Sequence, residues 1–145
     1  VSTLSGSYYP KLDEKGRIIL PAKLREYFVN GLVMTRGQDG CLLVFTAAAF
    51  EIRAQQLSAA PLSNQEARNY VRMFMSGAHS ETPDKQGRVT IPAALRQYAT
   101  LNRELTVIGA GNHAEIWDAA AWKAFESSQE FSYSSLAQEV IPGII

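Results

Sequence analysis

Cysteine is nearly missing from this 145-residue chain, with Cys41 standing alone. No intrachain disulfide can form, which suits a reducing compartment. Its place in the apolar run 41–45 marks it as a buried thiol rather than a nucleophile. Histidine is scarce: His79 and His113 have no cysteine or carboxylate at ligand spacing, so no metal site is expected. No apolar run approaches the roughly 20 residues that cross a bilayer. Residues 1–6 hold no basic segment leading into an apolar block, so no signal peptide is expected. No G-x-S-x-G elbow is present to place a serine nucleophile. These gaps leave a globular chain, 46% hydrophobic and 19% charged, long enough for one domain or two small ones sharing a core. They predict a protein that is not an enzyme, with no cofactor, no metal, no small-molecule substrate and no membrane partner.

The formal net charge is zero, but it is unevenly spread. Residues 1–36 hold Lys11, Lys15, Arg17, Lys23, Arg25 and Arg36 against Asp13, Glu14 and Glu26, a balance of +3. Residues 104–145 hold Lys123 against six acids, Glu104, Glu115, Asp118, Glu126, Glu130 and Glu139, a balance of −5. A basic beginning and an acidic end are compatible with a polyanion partner, and equally with ordinary solvated surface.

What is present is a duplication. The stretch 13–27 returns as 84–98, an offset of 71 (84 − 13), with eight identities. These are Asp13/Asp84, Gly16/Gly87, Arg17/Arg88, Pro21/Pro92, Ala22/Ala93, Leu24/Leu95, Arg25/Arg96 and Tyr27/Tyr98. Around Phe45/Trp117 and Phe50/Trp122 the offset is 72 (117 − 45), with the alanine triplets 47–49 and 119–121 between them. The chain is therefore two copies of one unit. We place the first at 5–60, a helical connector at 61–76, the second unit at 77–125 and a tail at 126–145.

Each unit predicts the same order of elements. Residues 7–12 predict a strand that Pro10 confines to a sheet edge. A turn at 13–16 follows, then a β-branched strand, then a helix over 21–28 whose first turn Pro21 pre-sets and whose apolar face is Leu24, Tyr27 and Phe28. Residues 32–35 and 41–45 predict a hairpin closed by Asp39-Gly40. Thr46 then caps a helix running to about Leu57, with Phe50, Arg53, Ala54 and Leu57 on one stripe. In the connector, Ser63 with Glu66 reads as a capping box. Ala67, Tyr70, Val71, Phe74 and Met75 form its buried stripe. In the second unit Asp118 takes the cap position of Thr46. A short helix is expected at 134–140 in the tail, which is expected to be mobile or to pack on a neighbouring subunit. Gly109-Ala110-Gly111-Asn112-His113-Ala114 fits G-x-G-x-x-A, but a strand follows where a dinucleotide site needs a helix, so it predicts a hairpin turn.

The candidate functional residues lie on the repeated turn. Lys15 is a point charge suited to a phosphate, and Arg17 has a planar fork for phosphate or for guanine. Gly16 allows a close backbone approach. Asp13 and Asp84 shape their turns rather than act as catalytic acids. A second reading of the same residues pairs Arg17 with Asp13, and Arg88 with Asp84, as supports of the fold.

The duplicated Asp-x-Lys-Gly-Arg-Ile-x-Leu-Pro-Ala-x-Leu-Arg resembles the MraZ family of bacterial transcriptional regulators, within the AbrB-like swapped-hairpin class. The likeness runs from Gly6 to Trp122. It implies an α+β, β-rich fold in which two AbrB-like swapped-hairpin repeats form one pseudo-dimeric β-barrel with flanking helices. It also implies a sequence-specific, double-stranded-DNA-binding regulator of a division and cell-wall gene cluster. Such a protein assembles as a homo-oligomeric ring on tandem promoter repeats, in the cytoplasm and associated with the nucleoid. The implied DNA-binding residues are Asp13, Lys15, Gly16, Arg17 and Lys11, with Asp84, Lys85, Gly87 and Arg88 from the second copy. Lys15 has Gln86 as its counterpart, with Lys85 one position earlier. The alternative is an antitoxin-like barrel acting mainly through a protein partner. The doubled motif and short tail favour the regulator.

Overall fold

A computed structural model describes residues 3–142; the first two residues of the opening segment and the last three of the tail lie outside it. The first unit contributes β1 (Ser7–Tyr8), β2 (Arg17–Ile19), α1 (Ala22–Tyr27), β3 (Leu32–Arg36), β4 (Leu42–Thr46) and α2 (Ala47–Ser58). After α3 (Gln65–Ser76), the second contributes β5 (His79–Glu81), β6 (Arg88–Thr90), α4 (Ala93–Tyr98), β7 (Leu105–Gly109), β8 (Ala114–Asp118) and α5 (Ala119–Gln129), with α6 (Tyr133–Val140) last.

The units exchange strands. One antiparallel six-stranded sheet has the order β1-β7-β8-β4-β3-β5, so β1 edges the second unit's hairpin and β5 edges the first's. β2 and β6 pair only with each other, as a separate two-stranded ribbon. Ile18 faces Val89 in the ribbon and Leu43 faces Glu115 in the sheet, and a pseudo-two-fold axis runs through both pairs. A closed barrel is not found among the described residues. Closure requires an unbroken ladder around the sheet, whereas these three-residue ribbon strands meet no sheet strand.

Side-chain alternation makes three layers. Leu32, Met34, Leu42, Val44, Leu105, Val107, Ala114 and Ile116 face the ribbon and the short helices, where Ile18, Leu20, Leu24, Phe28, Val89, Ile91 and Leu95 complete one buried core. On the other sheet face the matched aromatic pairs of the two units meet, Phe45 with Phe50 at 6.1 Å and Trp117 with Trp122 at 5.2 Å between centroids. Leu24 and Phe28 are buried, as their helical spacing requires, and Pro10 follows the edge strand β1.

Several local expectations shift. Pro21 and Pro92 sit at the N-cap, one residue before the helix, with φ of −54° and −57°. Thr46 does cap α2, its Oγ1 accepting from the Ala49 amide at 3.1 Å. The connector is capped by Asn64 rather than Ser63: Asn64 Oδ1 accepts from the Ala67 amide at 3.1 Å. Glu66 then stands one position too early for a capping box. Of the stripe expected to be buried, Phe74 alone is fully so; Ala67, Tyr70 and Val71 are half-buried and Met75 is 40% exposed. Asp118 occupies the cap position of α5 without capping it; Oδ1 instead accepts from the backbone and side-chain amides of Asn102 at 3.0 and 3.1 Å. The tail helix forms one residue earlier than expected, and Gly109–Ala114 is a hairpin turn closed by Ala110 N–H donating to the His113 carbonyl at 2.9 Å.

Leu24→Ala, at the centre of the core, is expected to cost about 2–5 kcal/mol. Ile52→Ala, on an exposed face of α2, is expected to stay within about 0.5 kcal/mol of the parent. Urea midpoints at unchanged slope check both.

Candidate nucleic-acid interface

The two repeated turns have the same internal geometry. Asp13 Oδ1 accepts from the Lys15 and Arg17 amides, each at 2.8 Å, and Oδ2 accepts from Arg17 Nε at 2.8 Å. Asp84 does the same for Gln86 and Arg88, at 2.9, 2.9 and 2.7 Å. A short polar side chain that satisfies amides two and four residues on is the reason aspartate begins each turn. Gly16 (φ +79°) and Gly87 (φ +76°) complete the turns in the left-handed region.

These hydrogen bonds pull both carboxyls below the ordinary aspartate value of 3.8. The Arg17 amide is the leading cause at Asp13, and the Arg88 amide, then its side chain, at Asp84. Arg17 and Arg88 use Nε for the aspartate; among the described residues no hydrogen bond occupies their terminal nitrogens. The support reading and the binding reading of these arginines are therefore compatible.

The β2–β6 pairing carries the two turns to opposite ends of one ribbon. Arg17 lies opposite Thr90, and Ile19 opposite Arg88. Because Ile18 and Val89 point into the core, these four residues share the outward face. Arg17 and Arg88 are thus diagonal neighbours, roughly 7–8 Å apart, and Lys15 and Lys85 are exposed on the turns beside them. Lys11 lies apart, on an isolated bridge to Glu104, with its ammonium 4.0 Å from that carboxylate. Both groups are well exposed, so that pair adds little.

The glycines have a use that the sequence did not reveal. Both are buried, and the close approach each allows is made by the protein itself. A Cβ on Gly16 would overlap the Arg96 guanidinium, and one on Gly87 would overlap that of Arg25. Arg25 donates to the Leu20 carbonyl at 3.2 Å and Arg96 to that of Ile91. The amides of Leu20 and Ile91 in turn donate to the carbonyls of Gly87 and Gly16, both at 2.8 Å. Arg25 and Arg96 were visible only as one of the eight identities between copies, a signal with no chemistry attached.

Elsewhere the polar groups form pairs. His79 Nε2 lies 3.0 Å from Glu81, whose second oxygen accepts from the Thr90 amide at 2.6 Å. His113 Nε2 lies 3.5 Å from Glu115, and that contact, followed by the Trp117 indole, lowers the Glu115 pKa. Carboxylates thus do stand two residues beyond each histidine, contrary to the spacing argument: His79 and Glu81 share a face of β5, and His113 lies in the turn just before β8. Among the described residues no group of three or more metal-binding side chains forms. Burial pushes the Cys41 thiol up to about 12. Among the described residues no helix is long and apolar enough to cross a membrane.

Fold and surface together define an internally duplicated, strand-swapped α+β protein that presents paired Asx turns on a two-stranded ribbon. The family model described as "MraZ protein, putative antitoxin-like" matches the chain twice, over residues 3–73 and 73–141. Proteins named transcriptional regulator MraZ are similar over nearly their whole length. Those of Kocuria rhizophila and Micrococcus luteus are 57% and 55% identical, each covering 96% of this chain and 97% of the relative. That of Leifsonia xyli subsp. xyli is 55% identical over the same shares. The chain belongs to the MraZ family.

Two outcomes test the turn. Gly16→Ala should cost more than Gly40→Ala, although both glycines have positive φ, because only at Gly16 must Arg96 be displaced from Ile91. The excess should be about 0.5–1.5 kcal/mol, as for an ordinary intramolecular hydrogen bond, since the displaced group is the end of a flexible, half-buried side chain. It should vanish in an Arg96→Ala background, as read by urea midpoints. Carboxyl titration by NMR should place Asp13 and Asp84 below 3.8 in the folded chain. Their contribution to stability is then complete above the unfolded value and is lost as pH falls through the folded one. Arg17→Ala should move Asp13 only partway back, since the amides at 15 and 17 remain.

Proposed function

We propose that the chain is a sequence-specific transcription regulator that binds double-stranded DNA through the outward face of the β2–β6 ribbon. The observation that carries this is the placing of Arg17 and Arg88 on one face, each fixed at Nε and open at its terminal nitrogens. The major groove admits a two-stranded β-ribbon, and an arginine fork pairs with guanine O6 and N7. The two arginines leave the ribbon from diagonal positions roughly 7–8 Å apart, close enough for both to reach one stretch of groove. Lys15 and Lys85 sit where phosphates flank the groove. Asp13 and Asp84 hold the forks, and Gly16 and Gly87 hold the turns. Lys11 adds general positive charge. The MraZ relatives' description as transcriptional regulators supports the same reading.

The two units act as a pseudo-dimer with unequal ends, since the first turn has Lys15 where the second has Gln86. Several copies in a ring on tandem promoter repeats would add their modest contacts. Linked engagement of this kind raises overall affinity by about 100-fold or more without new contacts. The gene cluster read in this way is one for division and cell-wall synthesis, and the protein works in the cytoplasm at the nucleoid.

In gel shifts on a tandem-repeat duplex, Arg17→Ala should lose about 1–3 kcal/mol per base contact and relax sequence preference. Lys15→Ala should weaken all sequences alike and flatten the salt dependence by about 0.9 units of log–log slope per phosphate contact. Wild-type binding by Arg17→Ala would sink the assignment. A stoichiometric protein partner with no DNA binding would establish the antitoxin-like reading instead.

A further inference from the structure

Each strand of the ribbon has one edge toward its partner and one away from it. Leu20 N–H donates to the Gly87 carbonyl and Ile91 N–H to that of Gly16, both at 2.8 Å. Antiparallel alternation then turns the amides of Arg17 and Ile19 on β2, and of Arg88 and Thr90 on β6, away from the ladder. The turn aspartates take the first amide of each strand, Asp13 for Arg17 at 2.8 Å and Asp84 for Arg88 at 2.9 Å. The second amides are treated unequally. Glu81, on the sheet's edge strand β5, reaches across to the ribbon, and its Oε2 accepts from the Thr90 amide at 2.6 Å. Its other oxygen lies 3.0 Å from His79 Nε2, so both ends of the carboxylate are engaged. At the offset of 71 (84 − 13), Glu81, His79 and Thr90 correspond to Pro10, Tyr8 and Ile19. Proline has no carboxylate to offer, and among the described residues no side chain accepts from the Ile19 amide.

β6 is therefore fastened outside the ladder at both of its outward amides, and β2 at one. A three-residue strand with a free edge keeps more local freedom than one tied to a six-stranded sheet. Arg88 belongs to the tied strand. Arg17 stands opposite Thr90, but at a pair that exchanges no ladder bonds, so the tie does not pass to it directly. We infer that Glu81 is a positioning residue for DNA reading: by tying β6 to the sheet it makes the Arg88 end of the ribbon the more selective half and leaves the Arg17 end more tolerant of sequence. A fork held in place rejects a wrong base because the strand cannot shift to meet it, whereas a looser one gives way. Charge runs the other way. Lys15 strengthens the first end through phosphate, without regard to sequence, and Gln86 adds no charge at the second. One end thus supplies attraction and the other stringency. The inference rests on the ribbon reading proposed above and assigns different roles to its two ends.

Amide hydrogen exchange on the full chain without DNA tests the tie. Corrected for intrinsic rates, the Thr90 amide should exchange about fivefold more slowly than that of Ile19 or slower still, as one hydrogen bond provides. Glu81→Ala should remove the difference, and Glu81→Gln, which keeps an oxygen to accept, should retain most of it. Gel shifts on the tandem-repeat duplex, with one base pair exchanged at a time, test the reading. Base pairs whose exchange ceases to matter in Arg17→Ala or in Arg88→Ala are assigned to that end. In wild type an exchange at the Arg88 end should weaken binding at least about threefold more than one at the Arg17 end, within the range that a bidentate base contact supplies. Glu81→Ala should bring the ends level by lowering the Arg88 end alone, with the salt slope unchanged; a purely structural loss would lower both together. Equal exchange at Thr90 and Ile19 overturns the tie. Equal discrimination at the two ends of wild type overturns the inference without any variant, even where Glu81→Ala does not fold. So does a Glu81→Ala chain that keeps the inequality or loses both ends alike. Binding indifferent to both Arg17→Ala and Arg88→Ala overturns the ribbon reading and the inference with it, and the exchange rates separate that failure from a failure of the tie.

Discussion

Everything on the ribbon side depends on a crossed contact between the units. The guanidinium of Arg96 lies over Gly16 and that of Arg25 over Gly87, while the glycine carbonyls accept the amides of Ile91 and Leu20. Neither unit can complete this alone, because each arginine comes from a helix of one copy and each glycine from the turn of the other. A two-stranded ribbon of three-residue strands is marginal by itself. Here Ile18 and Val89 anchor it to the core, and the crossed arginines close its two ends. The strand exchange in the large sheet, β1 onto β7 and β5 onto β3, ties the same two units a second time. Function then inherits the geometry: one outward face, two turns, one axis.

The set of identities between the copies follows from this contact. Asp, Gly and Arg form the turn, Pro sets the helix entry, and Leu24 and Leu95 seat the helix in the core. The second arginine of each motif reaches across. The copies differ even on the axis, where Ile18 meets Val89 and Leu43 meets Glu115, and they differ again away from it. Lys15 against Gln86 changes an exposed turn position without altering the aspartate's hydrogen bonds by more than about 0.1 Å at the corresponding amide (2.8 against 2.9 Å). Tyr98 reaches the Gly37 carbonyl and lies under Arg36 at 5.9 Å, while Tyr27 packs edge-on against Phe28 at 5.1 Å. Symmetry holds the scaffold, and the departures from symmetry distinguish its two ends.

Much of this was legible because periodicity and turn chemistry are local. The strand–turn–strand–helix order, the Leu24 and Phe28 face, the Thr46 cap and the hairpin at Asp39-Gly40 all follow from neighbours a few residues apart. What was not legible depends mainly on partners brought in by the fold, the crossed ones about 70 residues away and others nearer in sequence. The separate ribbon in place of a barrel is decided by which strands find which edges. The buried glycines read as openings for a ligand because the arginine that fills them belongs to the other copy. Asp118 read as a cap because nothing nearby marks Asn102 as the competitor for its carboxylate. The histidine–glutamate pairs were missed because a spacing of two was not weighed as a contact, although each pair is separated by one residue only.

The aspartate–arginine pair, which the sequence left between support and recognition, leaves room for both because the guanidinium has separate donors. A free arginine carries about 2 kcal/mol of rotamer entropy, and binding would have to overcome it at each contact. Asp13 and Asp84 take Nε and fix the plane of the group before any ligand arrives. Among the described residues no hydrogen bond occupies the terminal nitrogens, which carry the fork geometry that matches a guanine edge or a phosphate. The aspartates can do this because their other oxygen is committed to backbone amides, so the carboxylate itself cannot rotate away. Orientation thus passes from turn backbone to aspartate to arginine, and the turn backbone is in turn held by the opposite unit's arginine over its glycine. Each ribbon arginine is aimed by the aspartate of its own half, and that turn is itself held by the other half.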